Sequence, residues 1–325
     1  MPLVLYGARQ VGKTYILQEF GRDYFKNSIY INFERMPAVA GYFEGDLRPD
    51  RLLRLLEEHF GARIVPEDTL LIFDEVQACE RALTSLKYFC EDAPEYHIVA
   101  AGSLLGVAIR RESYSFPVGK VYVKTMYPMR FDEFLWAMGQ EGLEHMIREH
   151  FVSMEPMPEA IHSELRLWWL RYLYVGGMPA AVRKYLEEKS LVNVPEVQSL
   201  IVNAYTADMA KYASESESTR IRGAYLSLPA QLAKENKKFR YKLIRKGATA
   251  GMFGDSIMWL HMAGVAIQSD LATVGELPLA AFRDVSAFKL YLSDVGLLCA
   301  CANLVPENVL RDELSGVFKG ALTEN

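Results

Sequence analysis

Cysteine is scarce in this sequence, with four thiols in 325 residues, at positions 79, 90, 299 and 301. The last two stand two residues apart, a spacing that fits neither a zinc-binding pair nor a redox Cys-x-x-Cys. So few thiols indicate reduced cysteines of a cytoplasmic protein and argue against a disulfide scaffold. The sequence also lacks an apolar run of roughly 18 residues, and a charged N-terminus followed by an apolar segment. We therefore expect no secretion, no membrane partner and a cytoplasmic location.

Strong charge of one sign and familiar catalytic patterns are missing too. The net charge is −5 at pH 7, so any contact with a polyanion must be local. The six histidines show no metal-ligand spacing, and no Ser-His-Asp or Cys-His arrangement can be recognised. Hydrophobic residues make up 50% of the chain, which supports large cores, and 325 residues allow two or three domains.

The most informative stretch is a complete G-x-x-x-x-G-K-[ST] pattern at residues 7–14, which read GARQVGKT. It follows the apolar run 3–6 and precedes a helix-compatible segment, the strand–loop–helix context that this motif requires. The two glycines let successive N–H groups converge on phosphate oxygens beside a helix N-terminus. The lysine would reach the β- and γ-phosphates, and the threonine would ligate Mg²⁺. The predicted nucleotide-binding residues are Gly7, Ala8, Arg9, Gln10, Val11, Gly12, Lys13 and Thr14.

A second motif, TLLIFDE at residues 69–75, indicates a buried parallel strand that ends in two carboxylates. Parallel sheets place their ligands at this carboxyl edge. Asp74 is predicted to hold the Mg²⁺ shell together with Thr14. Glu75 is predicted to polarise the water that attacks the γ-phosphate. The distance from the first motif, with another strand and helix between, is typical of an ATPase.

Further catalytic candidates follow the next predicted strand, 97–101. Ser103 would sense the γ-phosphate from the end of an extra strand beside the phosphate loop; the alternative is an ordinary turn serine. Arg110 or Arg111 would stabilise developing phosphate charge as an arginine finger, reaching the site of a neighbouring subunit. The alternative for this pair is two solvated side chains.

Strand and helix patterns alternate over the first 125 residues, which indicates an α/β fold with a doubly wound, five-stranded parallel sheet. The predicted strands are 3–6, 28–33, 69–73, 97–101 and 120–124, and the predicted helices are 14–20, 51–60 and 81–91. Residues 126–215 carry helical patterns alone, at 131–138, 143–151, 163–174 and 180–188. The aromatic residues at 168–174 are interpreted as packing.

The pattern changes again from residue 216. A helix that ends near 232, a second helix over 248–263, and strands at 265–268 and 287–292 follow the order of a winged helix. Between the helices, residues 234–246 carry seven basic side chains and one acid. This run is either a solvated loop or a contact with a nucleic-acid backbone. The helix over 248–263 is the candidate groove reader, but it lacks Arg and Lys, so base-specific readout is not expected.

Together these residues resemble the prokaryotic AAA-type ATP-binding proteins of the AAA_14 type that carry a C-terminal DUF4143 region. The resemblance covers nearly the whole chain and rests on the segments GARQVGKT, LLIFDEVQ, LKYF, AGSLLG, SFPVGKV, YPMRFDEFL, GGMP, LPAQLAKENKKFRY and FKLYLSDVGLL. It implies an additional-strand P-loop ATPase core, a helical lid and a winged helix. It also implies the phosphate-loop and carboxylate roles given above, the sensor role of Ser103, and nucleotide contacts by Gly177 and Pro179 in the lid.

The resemblance divides the chain into an ATPase core at 1–125, a helical lid at 126–215, a winged-helix-like domain at 216–300 and the start of a further region at 301–325. Members of the family begin upstream of the phosphate loop and continue past residue 325 into a nuclease-like domain. On this comparison the chain is a truncated member, and no nuclease activity is expected of it.

The combined expectation is a slow ATPase that uses ATP and Mg²⁺ and couples its nucleotide state to a winged-helix module, on DNA or within a homo-oligomer. The alternative is a DNA-binding regulator or a protein-interaction scaffold in which ATP is structural or very slowly hydrolysed.

Overall fold

The structure is a computed structural model that describes residues 1–109, 116–211, 213–311 and 316–325. The chain divides into two compact units, Met1–Tyr127 and Pro128–Asn325. No helix in these described ranges is both long and apolar enough to span a membrane.

The first unit is built on a parallel sheet. Its strands are β1 (Leu3–Tyr6), β2 (Asn27–Asn32), β3 (Thr69–Asp74), β4 (His97–Ala101) and β5 (Tyr122–Thr125). Their order across the sheet is β2-β3-β4-β1-β5, and each neighbouring pair is parallel. The strand β4 thus separates β1 from β3, which confirms the predicted additional-strand arrangement. Every residue of β3 is buried, as expected for a central strand covered on both faces.

Helices connect these strands and cover the sheet. They are α1 (Lys13–Tyr24), α2 (Pro37–Ala40), α3 (Pro49–Phe60), α4 (Glu80–Asp92) and α5 (Leu105–Ile109). The helix α3 begins at a proline, whose fixed φ suits the first turn, and buries Leu52, Leu53 and Leu56. These leucines share one core cluster with β3 residues. The predicted strands and helices of this unit are all found, with ends that differ by a few residues.

The second unit is largely helical. Its helices are α6 (Phe131–Ala137), α7 (Glu141–Ser153), α8 (Glu159–Val175), α9 (Pro179–Glu188), α10 (Val194–Lys211), α11 (Glu215–Leu232), α12 (Ala250–Met262), α13 (Val295–Cys301), α14 (Pro306–Leu310) and α15 (Gly316–Glu324). Trp169 and Tyr172 of α8 pack against Phe131 of α6, so these aromatic residues serve packing as the sequence predicted.

A two-stranded antiparallel hairpin follows α12 in the second unit. Its strands are β6 (Ala266–Ala272) and β7 (Arg283–Leu292). The helix α11 begins with a capping box between Ser214 and Glu217, which fixes its first turn. The order α11, α12, β6, β7 is the order predicted for a winged helix. Residues 128–325 form one unit, so their division into a lid, a winged-helix domain and a further region stays a prediction.

Candidate nucleotide site

The phosphate loop leaves β1 and enters α1 through backbone conformations that favour glycine. Gly7 has a φ of 140°, and Gly12, the N-cap of α1, has a φ of 100°. A Cβ on Gly7 would lie 2.2 Å from the carbonyl oxygen of Met126, so no side chain fits there. Both glycines therefore adopt the positive φ angles that the sequence led us to expect. Gln10 also has a positive φ, of 66°, which the sequence did not predict.

The side chains of the loop divide between the core and the solvent. Ala8 and Val11 are buried and anchor the loop on the sheet. Arg9 and Gln10 are exposed. Such anchoring by buried side chains is typical of a loop whose backbone N–H groups form a phosphate cradle.

Lys13 is a buried cation at the first position of α1. Its ammonium donates hydrogen bonds to the carbonyl oxygens of Gly7, at 2.9 Å, and Ala8, at 2.7 Å. Among the described residues it forms no ion pair. Burial lowers the pKa of Lys13 to about 8, although the negative charges of Glu75 and Asp74 oppose this shift. A desolvated cation held by neutral carbonyls gains from any anion that enters the loop.

Thr14 and Asp74 join the two predicted motifs. The Thr14 hydroxyl donates to Oδ2 of Asp74 at 2.8 Å, although 60 residues separate them along the chain. Asp74 is 3% exposed, and its Oδ1 accepts a hydrogen bond from the backbone N–H of Glu75 at 3.0 Å. The carboxyl end of β3 therefore lies beside the start of α1. Parallel topology brings the two motifs together there.

Sequence reasoning missed Tyr30 and Asn32 of β2. The Tyr30 hydroxyl donates to the same Oδ2 of Asp74 at 2.7 Å. The amide of Asn32 donates to the Tyr30 oxygen at 3.2 Å. The only available signal was the polar pair Tyr-x-Asn within an otherwise apolar strand, whose period of two places both side chains on one face.

Glu75 follows β3 with a φ of 50°, in the left-handed region that is uncommon for a residue with a side chain. Its Oε2 accepts a hydrogen bond from Nε2 of Gln77 at 2.5 Å. Gln77 in turn lies against the end of β4, because a Cβ on Gly102 would come within 2.2 Å of its Oε1. The predicted base is thus held by a neighbour two residues further along the chain.

The remaining catalytic candidates are Ser103, Arg110 and Arg111. Ser103 is half-buried and follows β4, at the carboxyl edge where β1 and β3 also end. Its γ-phosphate contact stays a prediction. Arg110 and Arg111 lie outside the described residues, so the arginine-finger hypothesis also stays a prediction.

Gly177 and Pro179 belong to the second unit, where Pro179 begins α9. The N–H of Gly177 donates to Oδ2 of buried Asp294 at 2.6 Å, and its carbonyl accepts from the N–H of Met129 at 2.8 Å. A Cβ on Gly177 would lie 1.9 Å from the Met129 carbonyl oxygen, so the turn has no room for a side chain. Their contact with nucleotide stays a prediction.

The basic run at residues 234–246 differs from the sequence expectation at one position. Lys237 is buried, and its ammonium contacts Oε1 of Glu324 at 2.5 Å. The pKa of Glu324 falls to about 2, chiefly because of this hydrogen bond. Lys237 is therefore a structural contact to α15 and not a free cation for phosphate. The exposed basic side chains of the run are Lys234, Lys238, Arg240, Lys242, Arg245 and Lys246.

The donors present suit a nucleotide with a hard divalent cation. The Thr14 hydroxyl and the Asp74 carboxylate supply oxygen, the ligand type that Mg²⁺ prefers. The Lys13 ammonium lies within the loop, 2.9 Å from the Gly7 carbonyl oxygen and 2.7 Å from that of Ala8, where it can meet phosphate oxygens. The residues of the first unit therefore fit both groups.

Two family models match the chain. Residues 1–135 match AAA_14, described as an AAA domain. Residues 166–308 match DUF8612, a domain of unknown function, and not the DUF4143 region that the sequence pointed to. No curated protein sequence matches the chain. The sheet order and the phosphate loop define a P-loop fold in the first unit. Residues 1–135 are similar to AAA domains, a class of nucleotide-binding ATPase domains.

Solved structures resemble the chain in fold. A Walker-type ATPase of Pyrococcus abyssi is similar over 93% of this chain and 91% of its own, with a TM-score of 0.50 and 15% identity. The ORC2 protein of Aeropyrum pernix, in ADPNP–ADP complexes, is similar over 99% of this chain and 88% of its own, with a TM-score of 0.42 and 13% identity. At such identities the likeness concerns the fold alone, and the Pyrococcus abyssi structure supports it.

Proposed function

We propose that this protein binds ATP with Mg²⁺ and hydrolyses it slowly, as a switch whose second unit responds to the nucleotide. The observation that carries the proposal is the 2.8 Å hydrogen bond between Thr14 and Asp74. It joins a phosphate loop to the carboxylate of a central strand, and the desolvated ammonium of Lys13 lies at the same place. This is the constellation that phosphoryl transfer from a nucleoside triphosphate requires.

In the proposed mechanism the loop N–H groups and Lys13 bind the phosphates, and Thr14 and Asp74 hold the cation. When bound, Mg²⁺ would neutralise charge on the β- and γ-phosphate oxygens. Glu75 accepts a proton from the attacking water. For this, the hydrogen bond from the Gln77 amide to the Glu75 carboxylate must break or be shared with the water. We assign Ser103 to a contact with the γ-phosphate, because it follows β4 at the carboxyl edge of the sheet.

The finer assignments in this proposal rest on sequence. Gly177 and Pro179 are proposed to contact the nucleotide, and Arg110 or Arg111 to act on the γ-phosphate of a second copy in a homo-oligomer. If the finger acts between copies, mixing an Arg110→Ala, Arg111→Ala double variant with Glu75→Gln restores part of the activity. No rescue at any ratio would exclude action between copies.

Calorimetric titration of the protein with ATP and Mg²⁺ tests binding. Lys13→Ala should lose measurable affinity because it removes the one ammonium in the loop. Lys26→Ala is the matched control, because Lys26 lies in the same unit but is exposed and paired with Asp68 at the surface. Equal affinity in wild type and Lys13→Ala would show that the site assignment is wrong.

Hydrolysis is tested separately by Glu75→Gln. The amide cannot accept the proton of the water, so turnover should fall by roughly 10²–10⁴-fold while ATP binding persists. Glu95→Gln, an exposed change in the same unit, is the control. Wild-type turnover in Glu75→Gln would leave Glu75 a structural residue and favour the alternative of a regulator or scaffold with structural ATP.

A second candidate function is contact with a nucleic-acid backbone. The six exposed cations of residues 234–246 form no ion pair within the part of the chain that the structure describes. Exposed cations that form no ion pair, in an otherwise acidic chain, fit phosphate as their partner. Binding of duplex DNA at several salt concentrations tests this candidate, and no binding at low salt would favour the scaffold alternative.

A further inference from the structure

The carboxylate of Asp74 is held by more groups than its expected role requires. Its Oδ2 accepts one hydrogen bond from Thr14, at 2.8 Å, and another from Tyr30, at 2.7 Å. Its Oδ1 accepts from the N–H of Glu75. A carboxylate oxygen has two lone pairs, so these two hydroxyls fill Oδ2. Asp74 is also buried, which makes each hydrogen bond count for more than it would in water.

Tyr30 is itself fixed by its neighbours. In the parallel register Tyr30 lies opposite Ile72 and Asn32 lies opposite Asp74, so the phenol approaches the carboxylate along the sheet edge. The Asn32 amide donates to the phenol oxygen at 3.2 Å, and its Oδ1 accepts from the N–H of Arg35 at 3.0 Å. The phenol oxygen therefore accepts one hydrogen bond from Asn32 and donates its single proton in a hydrogen bond to Asp74.

The hydroxyls of Thr14 and Tyr30 differ in their expected relation to a bound cation. Thr14 lies in the phosphate loop, and its oxygen keeps lone pairs for a metal while its hydroxyl proton is donated in a hydrogen bond to Asp74. Tyr30 lies on β2, outside the phosphate loop, and its hydrogen bond to Asp74 does not involve the loop.

We propose that Tyr30 is a positioning residue that holds the Asp74 carboxylate toward Thr14 and so sets the affinity of the nucleotide complex for its divalent cation. This inference rests on the proposed function, because it concerns the cation that accompanies ATP. Partners that orient a metal ligand change metal affinity by roughly 10–100-fold when they are removed. A tyrosine that merely filled space would instead affect stability and leave the cation dependence unchanged.

The test is Tyr30→Phe, which removes one oxygen and keeps the ring. A fluorescent ATP analogue is titrated with EDTA present, and Mg²⁺ is then titrated into the protein–analogue complex. The variant should bind the analogue without metal as wild type does, and should need roughly 10–100-fold more Mg²⁺ for the metal-dependent step. Tyr96→Phe is the matched control, because it makes the same change at a half-buried site in the same unit.

Asn32→Ala provides an independent variant that keeps the phenol and removes its amide partner. It should raise the Mg²⁺ requirement by a smaller factor than Tyr30→Phe. If Tyr30→Phe does not fold, Asn32→Ala is the variant that tests the proposal. An unchanged Mg²⁺ requirement in the folded variant, with wild type showing metal-dependent binding, overturns the role of Tyr30 alone. A wild-type protein that binds no analogue at all overturns the proposed function first.

Discussion

At the scale of single residues, Lys13 is subject to two opposing requirements, burial in the fold and a positive charge for phosphate binding. The fold buries its ammonium, and burial lowers its pKa to about 8 from the ordinary 10.5. Phosphate binding needs the charged form, because an uncharged amine gives no Coulomb attraction. A nucleotide should therefore raise this pKa again when it enters the loop. Binding and protonation of Lys13 are then coupled.

We predict that ATP binding with Mg²⁺ takes up roughly 0.8 proton at pH 8.5, because most Lys13 side chains are then neutral in the free protein. At pH 7 the uptake should nearly vanish, since the ammonium is already formed. Calorimetry in two buffers of different ionisation enthalpy measures this uptake as a difference in apparent binding enthalpy. Equal enthalpies in both buffers at pH 8.5 would contradict a lowered pKa.

The residues that sequence reasoning found differ in kind from those it missed. Lys13, Thr14 and Asp74 stand in motifs whose spacing is fixed by the local chain path, so a pattern identifies them. Tyr30 reaches Asp74 only because β2 pairs with β3 in one register. A shift of that register by one residue would turn Tyr30 to the other face. Register is set by tertiary packing, which a pattern of residue types does not specify.

At the scale of elements, the exit of β5 constrains the phosphate loop. The carbonyl oxygen of Met126, one residue past β5, occupies the space where a side chain at position 7 would project. The N–H of Met126 also donates to the carbonyl oxygen of Tyr6 at 2.8 Å, so the two segments are fastened together. The edge strand thereby fixes the start of the loop.

We predict that Gly7→Ala lowers the free energy of unfolding by about 2–4 kcal/mol, because it adds a clash with backbone to a strained φ. Gly61→Ala is the matched control. Gly61 has a φ of 61°, but a Cβ there meets no atom within 4 Å, so only the strain of about 1 kcal/mol should remain. Urea unfolding of both variants measures the difference. Equal losses would show that Met126 yields to the side chain.

The helix α10 shows why some elements escaped prediction. Its buried residues follow a helical period, yet Gln198 and Asp208 are among them. Leu200 on the same helix is 62% exposed. A period read from hydrophobic residues alone is blurred when polar groups face inward. Gln198 faces inward because its amide donates to the carbonyl oxygens of Tyr174 and Val175 at the end of α8.

Asp294 links three elements of the second unit. It is the N-cap of α13, where its Oδ1 accepts from the N–H of Leu297 at 2.9 Å, and its Oδ2 holds the N–H of Gly177 before α9. It directly follows Ser293, the residue after β7. Burial raises the pKa of Asp294 from 3.8 to about 6, against the opposing effect of these hydrogen bonds.

A raised carboxyl pKa gives a defined pH dependence. The fold prefers the protonated acid, so this contribution to stability is fully present below about pH 3.8 and is lost as pH rises through about 6. Relative to Asp294→Asn, wild type should therefore lose about 2 kcal/mol of unfolding free energy between pH 4 and pH 7. Asp284→Asn is the control of opposite sign, because hydrogen bonds from Ser286 lower the pKa of half-buried Asp284. A difference that does not vary with pH would contradict the shifted pKa of Asp294.

At the scale of the whole molecule, the fold of the first unit was largely predictable and the second unit was less so. Alternating strands and helices with two motifs at strand ends specify a parallel sheet, since crossover connections leave few topologies. The second unit depends on buried polar contacts between helices distant in sequence, such as Asp294 with Gly177. The pattern of basic residues at 234–246 predicted exposed cations, but Lys237 is buried in an ion pair with Glu324 of α15. That partner is distant in sequence, so the pattern could not reveal it.

The distribution of charge over the whole chain gives the last prediction. The net charge is −5, yet residues 234–246 keep six exposed cations, so duplex DNA should bind weakly and through its backbone. Replacing Lys238, Arg240 and Lys242 with Gln should flatten the slope of log affinity against log salt by about 2–3, at about 0.9 per phosphate contact. The control replaces Arg54, Arg63 and Lys87, exposed cations of the first unit, and changes the net charge equally. Equal slopes in the two variants would mean that net charge alone governs binding. A flattened slope in the first variant only would locate the phosphate contacts on the basic run, between the two helices that precede the hairpin.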